Sequence, residues 1–305
     1  MTSRTNGNNG RPDSLPAETA ARDSPAATPG AGDAGARGRR RTPWPLVVVA
    51  VLFVVVPFLS WYGTTFLRPL DDEKIGEYLN DTAKPRHVQH ALEQIDKKIV
   101  ADDAGARRWY PQIVNVASSP VADLRMAAAW VMGDDGREPE FRDALARLLG
   151  DPEPAVRRMA ALSLSRFRDG RARPELRAML RPYVFRSPVG GTLLTVLPAG
   201  SRVNRESLIA RARESSGEVR EVRAPLAGKI ERVNAQAGAN LNAGDDLLVL
   251  TPDAGNVLQS LRALALVGAG EDLGEVEVYA RGVEGMPADV QKQAALTAEA
   301  IKGRG

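Results

Sequence analysis

Apolar residues recur at a fixed interval along much of the chain after residue 100. The apolar segment that begins at Leu124 aligns with the one that begins at Val156, and Leu258 aligns with Val290; each offset is 32 residues. Apolar positions three and four apart define one buried face of a helix, and paired alanines allow a neighbouring helix to approach closely. A shorter amphipathic run precedes the copies, across a loop rich in Pro, Asp or Gly. The pattern predicts a repeated helix pair that stacks on its neighbours.

The second helix of this unit carries a recognisable motif. Residues 156–164 read V-R-x-x-A-A-x-x-L after an Asp-Pro turn, which resembles the HEAT repeats, a family of α-solenoids. The resemblance covers residues 107–180 and 255–303, and a weaker helical periodicity spans 85–100. It implies a protein-binding scaffold, seldom an enzyme.

The repeat is interrupted once. Continuing the period from Val156 places a second helix near residue 188, which is a proline, and the missing helix begins 70 residues later, at Leu258. The first helix of that unit is expected at residues 174–180, which have apolar positions on one helical face. We therefore predict that a module, residues 183–253, is inserted between the two helices of one unit.

The inserted segment contains a repeat of its own. Residues 188–193 match residues 225–230, and residues 200–204 match residues 238–242. Short runs of β-forming residues between glycines predict two similar sheets of a small sandwich or barrel.

The second half of the module reads A-P-x-x-G-x-I at residues 224–230 and then G-x-x-L-x-x-G-x-x-L at residues 238–247. This resembles the biotinyl/lipoyl domains and the barrel-sandwich part of bacterial membrane-fusion proteins, the periplasmic adaptors of secretion and efflux systems. Carrier members of the family hold a modified lysine at the hairpin between the halves. The corresponding residues 211–221 contain no lysine, and Lys229 does not fit that position. We therefore expect no biotin, lipoate or other cofactor. The long coiled-coil hairpin of complete adaptors is also missing.

The amino-terminal part has a different composition. Residues 1–42 lack aromatic residues and are rich in Gly, Ala, Pro, Ser, Thr and Asn, which predicts a disordered tail. Residues 43–67 contain no charge, and as a helix they would exceed the roughly 30 Å hydrocarbon core of a membrane. We predict a transmembrane helix there; the alternatives are a buried helix of a soluble protein and a cleaved signal peptide. Arginines at residues 37–41 place the tail in the cytoplasm and residues 68–305 in the periplasm of a bacterial inner membrane.

Composition limits the chemistry. The chain has no cysteine, which excludes disulfides, zinc–thiolate sites and a cysteine nucleophile. Its 41 basic residues nearly balance 38 acidic ones, so nucleic acid is not an expected partner. The two histidines, His87 and His90, are three residues apart, a spacing compatible with a metal or with a solvated helix face.

Candidate partner contacts come from an arginine-rich stretch and from one tryptophan. Residues 166–181 contain six arginines, which suit a solvated surface, an anionic protein or lipid headgroups. Trp109 begins a predicted helix and would be partly exposed, whereas Trp130 is predicted to lie in the core. The candidates for partner contact are Trp109, Arg171, Arg173, Arg177 and Arg181.

Together these patterns predict a multidomain α+β protein with a single transmembrane helix, an α-solenoid at 72–182 and 254–305, and an inserted lipoyl-like β sandwich or barrel. The expected function is that of a noncatalytic, membrane-anchored scaffold that organises a membrane or envelope protein complex. The alternative is a periplasmic adaptor subunit of an efflux or secretion transporter. A third reading, an enzyme like the bilin lyases that contain HEAT repeats, would need a catalytic constellation that the sequence does not offer. The oligomeric state is left open.

Overall fold

The computed structural model describes residue 48, residues 51–57 and residues 70–304. The chain divides into two compact units, residues 1–67 and 68–305, and each is described by itself. The predicted disordered tail, residues 1–42, lies outside the described residues.

The prediction of a membrane-spanning helix at residues 43–67 is wrong. Across the residues that the structure describes, none of the helices is both long enough and apolar enough to cross a membrane. The helical residues 51–57 rise only about 10 Å, against a hydrocarbon core of about 30 Å. The rest of the proposed span lies outside the described residues. For the same reason, two further predictions are wrong: the transmembrane part of the fold class and the inner-membrane localisation.

The second unit contains helices on either side of a block of strands. The helices are α1 (Asp72–Asn80), α2 (Pro85–Val100), α3 (Tyr110–Val116), α4 (Ala122–Met132), α5 (Pro139–Leu148), α6 (Pro154–Arg166), α7 (Arg173–Met179), α8 (Ala254–Val267), α9 (Leu273–Ala280) and α10 (Ala288–Lys302). Short 3₁₀ turns precede α3, α7 and α9 at Ala104–Trp109, Gly170–Ala172 and Gly270–Asp272.

The helices form consecutive pairs, from α1 with α2 to α9 with α10. The second helices of the pairs, α2, α4, α6, α8 and α10, each pack on the next and form one layer. A single apolar core runs beneath that layer and includes Ile95, Leu124, Leu164 and Leu261. The structure thus confirms the predicted HEAT-like helical region, which includes the pair α1–α2, where the sequence periodicity is weaker.

The strands form two antiparallel four-stranded sheets. They are β1 (Tyr183–Arg186), β2 (Gly191–Val196), β3 (Arg202–Val203), β4 (Leu208–Arg213), β5 (Val219–Arg223), β6 (Gly228–Val233), β7 (Asn240–Leu241) and β8 (Asp246–Pro252). The strand orders are β1-β8-β6-β3 and β5-β4-β2-β7. Exchanging β1–β4 with β5–β8 converts one order into the other, so the module has an internal pseudo-two-fold symmetry. Its core is separate from that of the solenoid.

The module enters and leaves the solenoid at one point. Strand β1 pairs with β8, and Tyr183 lies opposite Leu250, so the two ends of the module are neighbours. On the solenoid side, α7 and α8 pack on each other. The buried Ser260 hydroxyl of α8 donates a 2.7 Å hydrogen bond to the Leu176 carbonyl of α7. The helix pair is therefore completed across the strands.

Candidate partner-binding face of the solenoid

The layer of second helices exposes its outward side, which we call the second-helix face. Each of these helices contacts its neighbours in the layer and its own first helix, so only one side remains open to solvent. Three large apolar side chains of these helices are exposed: Trp130 is 44% exposed, Leu266 39% and Leu296 51%. Leu162 of α6, one 32-residue repeat after Trp130, is half-buried.

Trp130 therefore corrects the sequence prediction, which placed it in the core. Its neighbours Ala129 and Val131 are buried and fill the contacts of α4 with adjacent helices. Because α4 is apolar around nearly its whole circumference, periodicity alone does not show which large residue faces outward. The exposed indole is stacked by the Arg166 guanidinium, 5.5 Å from the ring centroid.

Four side chains from three consecutive repeats meet at this end of the face, and we call them the Asp96 cluster: Asp96, Trp130, Asp134 and Arg166. Arg166 forms an ion pair with Asp134, which follows α4. The Asp96 carboxyl of α2 lies near enough to Asp134 and Trp130 for both to affect its pKa, and its buried Oδ1 has no hydrogen-bond partner among the described residues. Burial raises the pKa of the Asp96 carboxyl to about 7; Asp134 acts in the same direction, and Arg166 and Trp130 oppose it. The sequence analysis missed this cluster.

The structure places the arginines that were candidate partner contacts in ion pairs within the chain. Arg173 Nε lies 2.7 Å from an Asp272 carboxylate oxygen, and Arg177 Nε lies 3.3 Å from the other one. Arg181 pairs with Glu275. Asp272 is fully buried and also accepts a 2.8 Å hydrogen bond from the Ala269 N–H. These pairs join α7 to the segment after α8, across the inserted module.

The other two candidate partner contacts, Arg171 and Trp109, also contact residues within the chain. Arg171 Nη2 lies 2.6 Å from an Asp169 carboxylate oxygen. Trp109 is half-buried and packs on α1, where a methyl group added to Gly76 would come within 3.3 Å of its ring. The structure does not bring Trp109 together with the arginines of residues 171–181 into one shared cluster among the contacts it describes.

The histidines lie at the start of α2. His87 Nδ1 is 2.9 Å from an Asp81 carboxylate oxygen, and its ring stacks on Tyr78 with centroids 4.2 Å apart. His90 Nε2 is 3.4 Å from the Gln94 amide nitrogen. Within residues 70–304, no three His, Asp or Glu side chains are arranged as metal ligands.

The β module contacts the solenoid away from its entry point. Arg205, in the turn between β3 and β4, pairs with Asp123 at the start of α4. The next residue, Glu206, has φ of 66°, and Gly244, at the equivalent turn of the second half, has φ of 95°. A non-glycine residue is strained at such positive φ values, in the left-handed region of backbone conformation. Near the entry point, the buried Arg158 guanidinium of α6 lies 5.8 Å from the Tyr183 ring centroid.

A cleft of about 770 Å³ opens between the module and the last helix pair. Its walls include Arg202 and Lys229 from the sheet and Val278 and Met286 from the helical side. Glu231 and Glu284 also line it, so both signs of charge are present and the lining selects no ligand charge.

Comparison with known proteins supports the helical part of the assignment. A family of HEAT repeats matches residues 110–185. No curated protein matches the chain. Among solved structures, the chain is similar to a single-chain, multi-domain long-chain acyl-CoA carboxylase, at 21% identity and a TM-score of 0.23. That match covers 41% of this chain and 14% of the carboxylase chain, so the chain spans a small part of that protein's length. The described fold is therefore that of a protein with a HEAT-like α-solenoid region, which a β module interrupts.

Proposed function

We propose that the protein is a noncatalytic scaffold that binds a protein partner on its second-helix face. HEAT repeats generally mediate protein–protein interactions, and stacked repeats supply an extended, rigid surface. The observation that carries the proposal is the exposure of Trp130, Leu266 and Leu296 on one open face. Trp130 with the Arg166 guanidinium over its ring has the composition of an interface hot spot, in which Trp and Arg are enriched.

We propose further that the β module is a biotinyl/lipoyl-like domain used without a cofactor. The support is its pseudo-two-fold arrangement of eight strands, together with the glycine motifs of both halves. The halves are joined at the β4–β5 hairpin, where Arg220 pairs with Glu214 and Glu218 and no lysine is present. In this proposal the module is a second binding element, held at a fixed position by Arg205 and Arg158.

The transporter-adaptor alternative is not developed further. The β4 and β5 strands are joined by a tight turn at residues 214–218, where the adaptors that the module resembles carry a long coiled-coil hairpin. No contact or surface of the described residues favours that role over a general scaffold.

Site-specific photo-cross-linking in the native host tests the partner-binding face. A photoreactive amino acid is placed singly at Leu266 and at Leu296, and the matched control position is Val278, which is 46% exposed but lies on α9, outside the second-helix layer. We expect a discrete cross-linked species at positions 266 and 296, reduced by Trp130→Ala, and none at 278. A species at 278 alone, or equal labelling at all three positions, would contradict the proposal.

A further inference from the structure

Strand β5 is an edge strand of the β module, and one of its sides is open. It stands at the end of the sheet order β5-β4-β2-β7 and is paired with β4 alone. Its five residues make it longer than the edge strand β1, with four, and than β3 and β7, with two each. Natural sheet edges are often protected by prolines, bulges or very short strands. Strand β5 has no proline, and the extra residue in its pairing with β4 lies in β4.

Hydrogen bonds at the two ends of β5 show which of its backbone groups face outward. Before the strand, the Glu214 N–H donates a 2.9 Å hydrogen bond to the Glu218 carbonyl. After it, the Ala224 N–H donates a 2.8 Å hydrogen bond to the Ser207 carbonyl. Both ends thus bond toward β4, and in an antiparallel pair every second residue does the same. The residues between direct their N–H and C=O groups away from the sheet; they are Val219, Glu221 and Arg223.

The outward-facing residues carry an anion and a cation two positions apart on one face of the sheet. Glu221 is 41% exposed and Arg223 is 49% exposed. Arg223 Nη2 donates a 2.6 Å hydrogen bond to a Glu221 carboxylate oxygen. Arg211, opposite Glu221 on β4, donates a second bond of 3.3 Å to this carboxylate. An added strand would therefore meet an ordered pattern of opposite charges at the open side of β5.

This pattern is complementary to itself in one antiparallel register. A two-fold axis at Val222 places Glu221 opposite Arg223 of the second copy, and Arg223 opposite Glu221 of the second copy. Both are hydrogen-bonded pairs, because both residues direct their backbone groups outward. A shift that places Glu221 opposite itself would bring like charges together, which destabilises a strand pair. A further shift places it opposite Val219 and leaves the charges unpaired.

We propose that β5 is a dimerisation edge, on which β5 of a second copy of this chain docks with a two-fold axis at Val222. The pairing joins the β5-β4-β2-β7 sheets of two modules into one continuous sheet, a strand addition with closed two-fold symmetry. An interface of one strand pair is small, so the dimer is weak and its population depends on concentration. The proposal does not rest on the second-helix face.

Sedimentation equilibrium of the full chain over a range of concentrations measures the dimer Kd. Glu221→Arg and Arg223→Glu each place like charges opposite one another twice, and each should weaken the dimer at least about tenfold. The matched control is Arg186→Glu, the same reversal at a 70% exposed residue of β1, which should leave the Kd unchanged. Trp130→Ala should also leave it unchanged, because Trp130 lies on the solenoid.

Mixing separates the proposed contact from damage within one chain. An equimolar mixture of Glu221→Arg and Arg223→Glu should recover the wild-type Kd, because one chain is then positive at both positions and the other is negative at both. The chain has no cysteine, so a mixture of Glu221→Cys and Arg223→Cys should form the mixed disulfide in preference to either symmetric one. This second measurement does not depend on the charge-reversed variants.

Three results would overturn the proposal. The first is a monomeric wild type at all concentrations, which is also expected if a strand of another protein covers β5. The second is a dimer that both charge reversals leave intact or that Trp130→Ala abolishes, which would place self-association elsewhere. The third is a mixture as weak as its separate variants, together with no preference for the mixed disulfide.

Discussion

The buried carboxylate of Asp272 is expected to hold the solenoid together where the β module interrupts it. Asp272 is fully buried, and it joins Arg173 and Arg177 of α7 to the segment that leads into α9. Replacing it by alanine would leave two guanidinium groups without their shared anion and the Ala269 N–H without its acceptor. The helix pair α7–α8 and the pair that follows it should therefore separate more easily.

The size of the effect follows from the surroundings of the two arginines. Removing one partner of a buried ion pair costs about 3–5 kcal/mol. Here Arg173 keeps a second carboxylate, Glu271, at 2.6 Å. Both arginine side chains are also partly exposed, at 19% and 26%, and can turn toward water. We therefore expect Asp272→Ala to lower the free energy of unfolding by about 2–3 kcal/mol. Asp272→Asn keeps an acceptor for Ala269 and should cost about 1–2 kcal/mol.

Urea unfolding of the full chain, followed by circular dichroism, measures this change. The control is Asp246→Ala, because Asp246 forms an exposed pair with Arg186, with side chains 51% and 70% exposed. Such a pair should change stability by no more than about 0.5 kcal/mol. A loss below about 1 kcal/mol in Asp272→Ala, or a loss equal to that of the control, would refute the reasoning that this network joins the two parts of the solenoid.

Three further predictions concern titration, strain and modification. Because the folded protein raises the pKa of Asp96, the contribution of this group to stability is complete below its unfolded pKa of 3.8 and is lost as the pH rises through about 7. After allowance for solvent screening, the free energy of unfolding of wild type relative to Asp96→Asn should fall by about 1 kcal/mol between pH 5 and pH 7.5. Urea unfolding at the two pH values measures this change. Glu206→Gly should raise the free energy of unfolding by about 0.5–1 kcal/mol, because it relieves the backbone strain at φ of 66°. The control Glu218→Gly should lower the free energy of unfolding. A destabilised Glu206→Gly variant would show that the contacts of the Glu206 side chain matter more than the strain. Intact mass of the protein from its native host should show no added biotin or lipoyl group, since the β4–β5 hairpin has no lysine; such a mass located within residues 183–253 would contradict the cofactor-free module.

The repeat could be predicted because its helices use the same buried positions. Val156 and Leu124 are both buried one repeat apart, so an offset of 32 residues in the sequence is also an offset of one helix pair in the structure. Periodicity does not distinguish the open side of a helix that is apolar on most sides, and this is why Trp130 was assigned to the core. The membrane prediction rested on residues 43–67 alone, and their apolar composition does not establish a helix of spanning length.

Long-range pairing could not be predicted. Arg173 and Asp272 are 99 residues apart because the module separates them, so the arginines of residues 171–181 look unpaired in the sequence. One signal of the Asp96 cluster was available, since Asp134 and Arg166 are separated by 32 residues and so occupy equivalent positions of neighbouring repeats. Asp96 does not follow this spacing, and its burial between α2 and α4 depends on the packing.

The central structural claim is that one continuous solenoid is interrupted by a module that it does not need for folding. The ends of the module are adjacent, with Tyr183 opposite Leu250, and its core is separate from the solenoid core. The most direct measurement is the thermal unfolding of a chain in which residues 183–252 are replaced by a short Gly/Ser turn. We predict that helical circular dichroism and a single cooperative transition are kept, because α7 and α8 still pack through Leu176 and Ser260. Loss of the cooperative transition, with apolar surface exposed to a hydrophobic dye, would show that the module is part of the solenoid core.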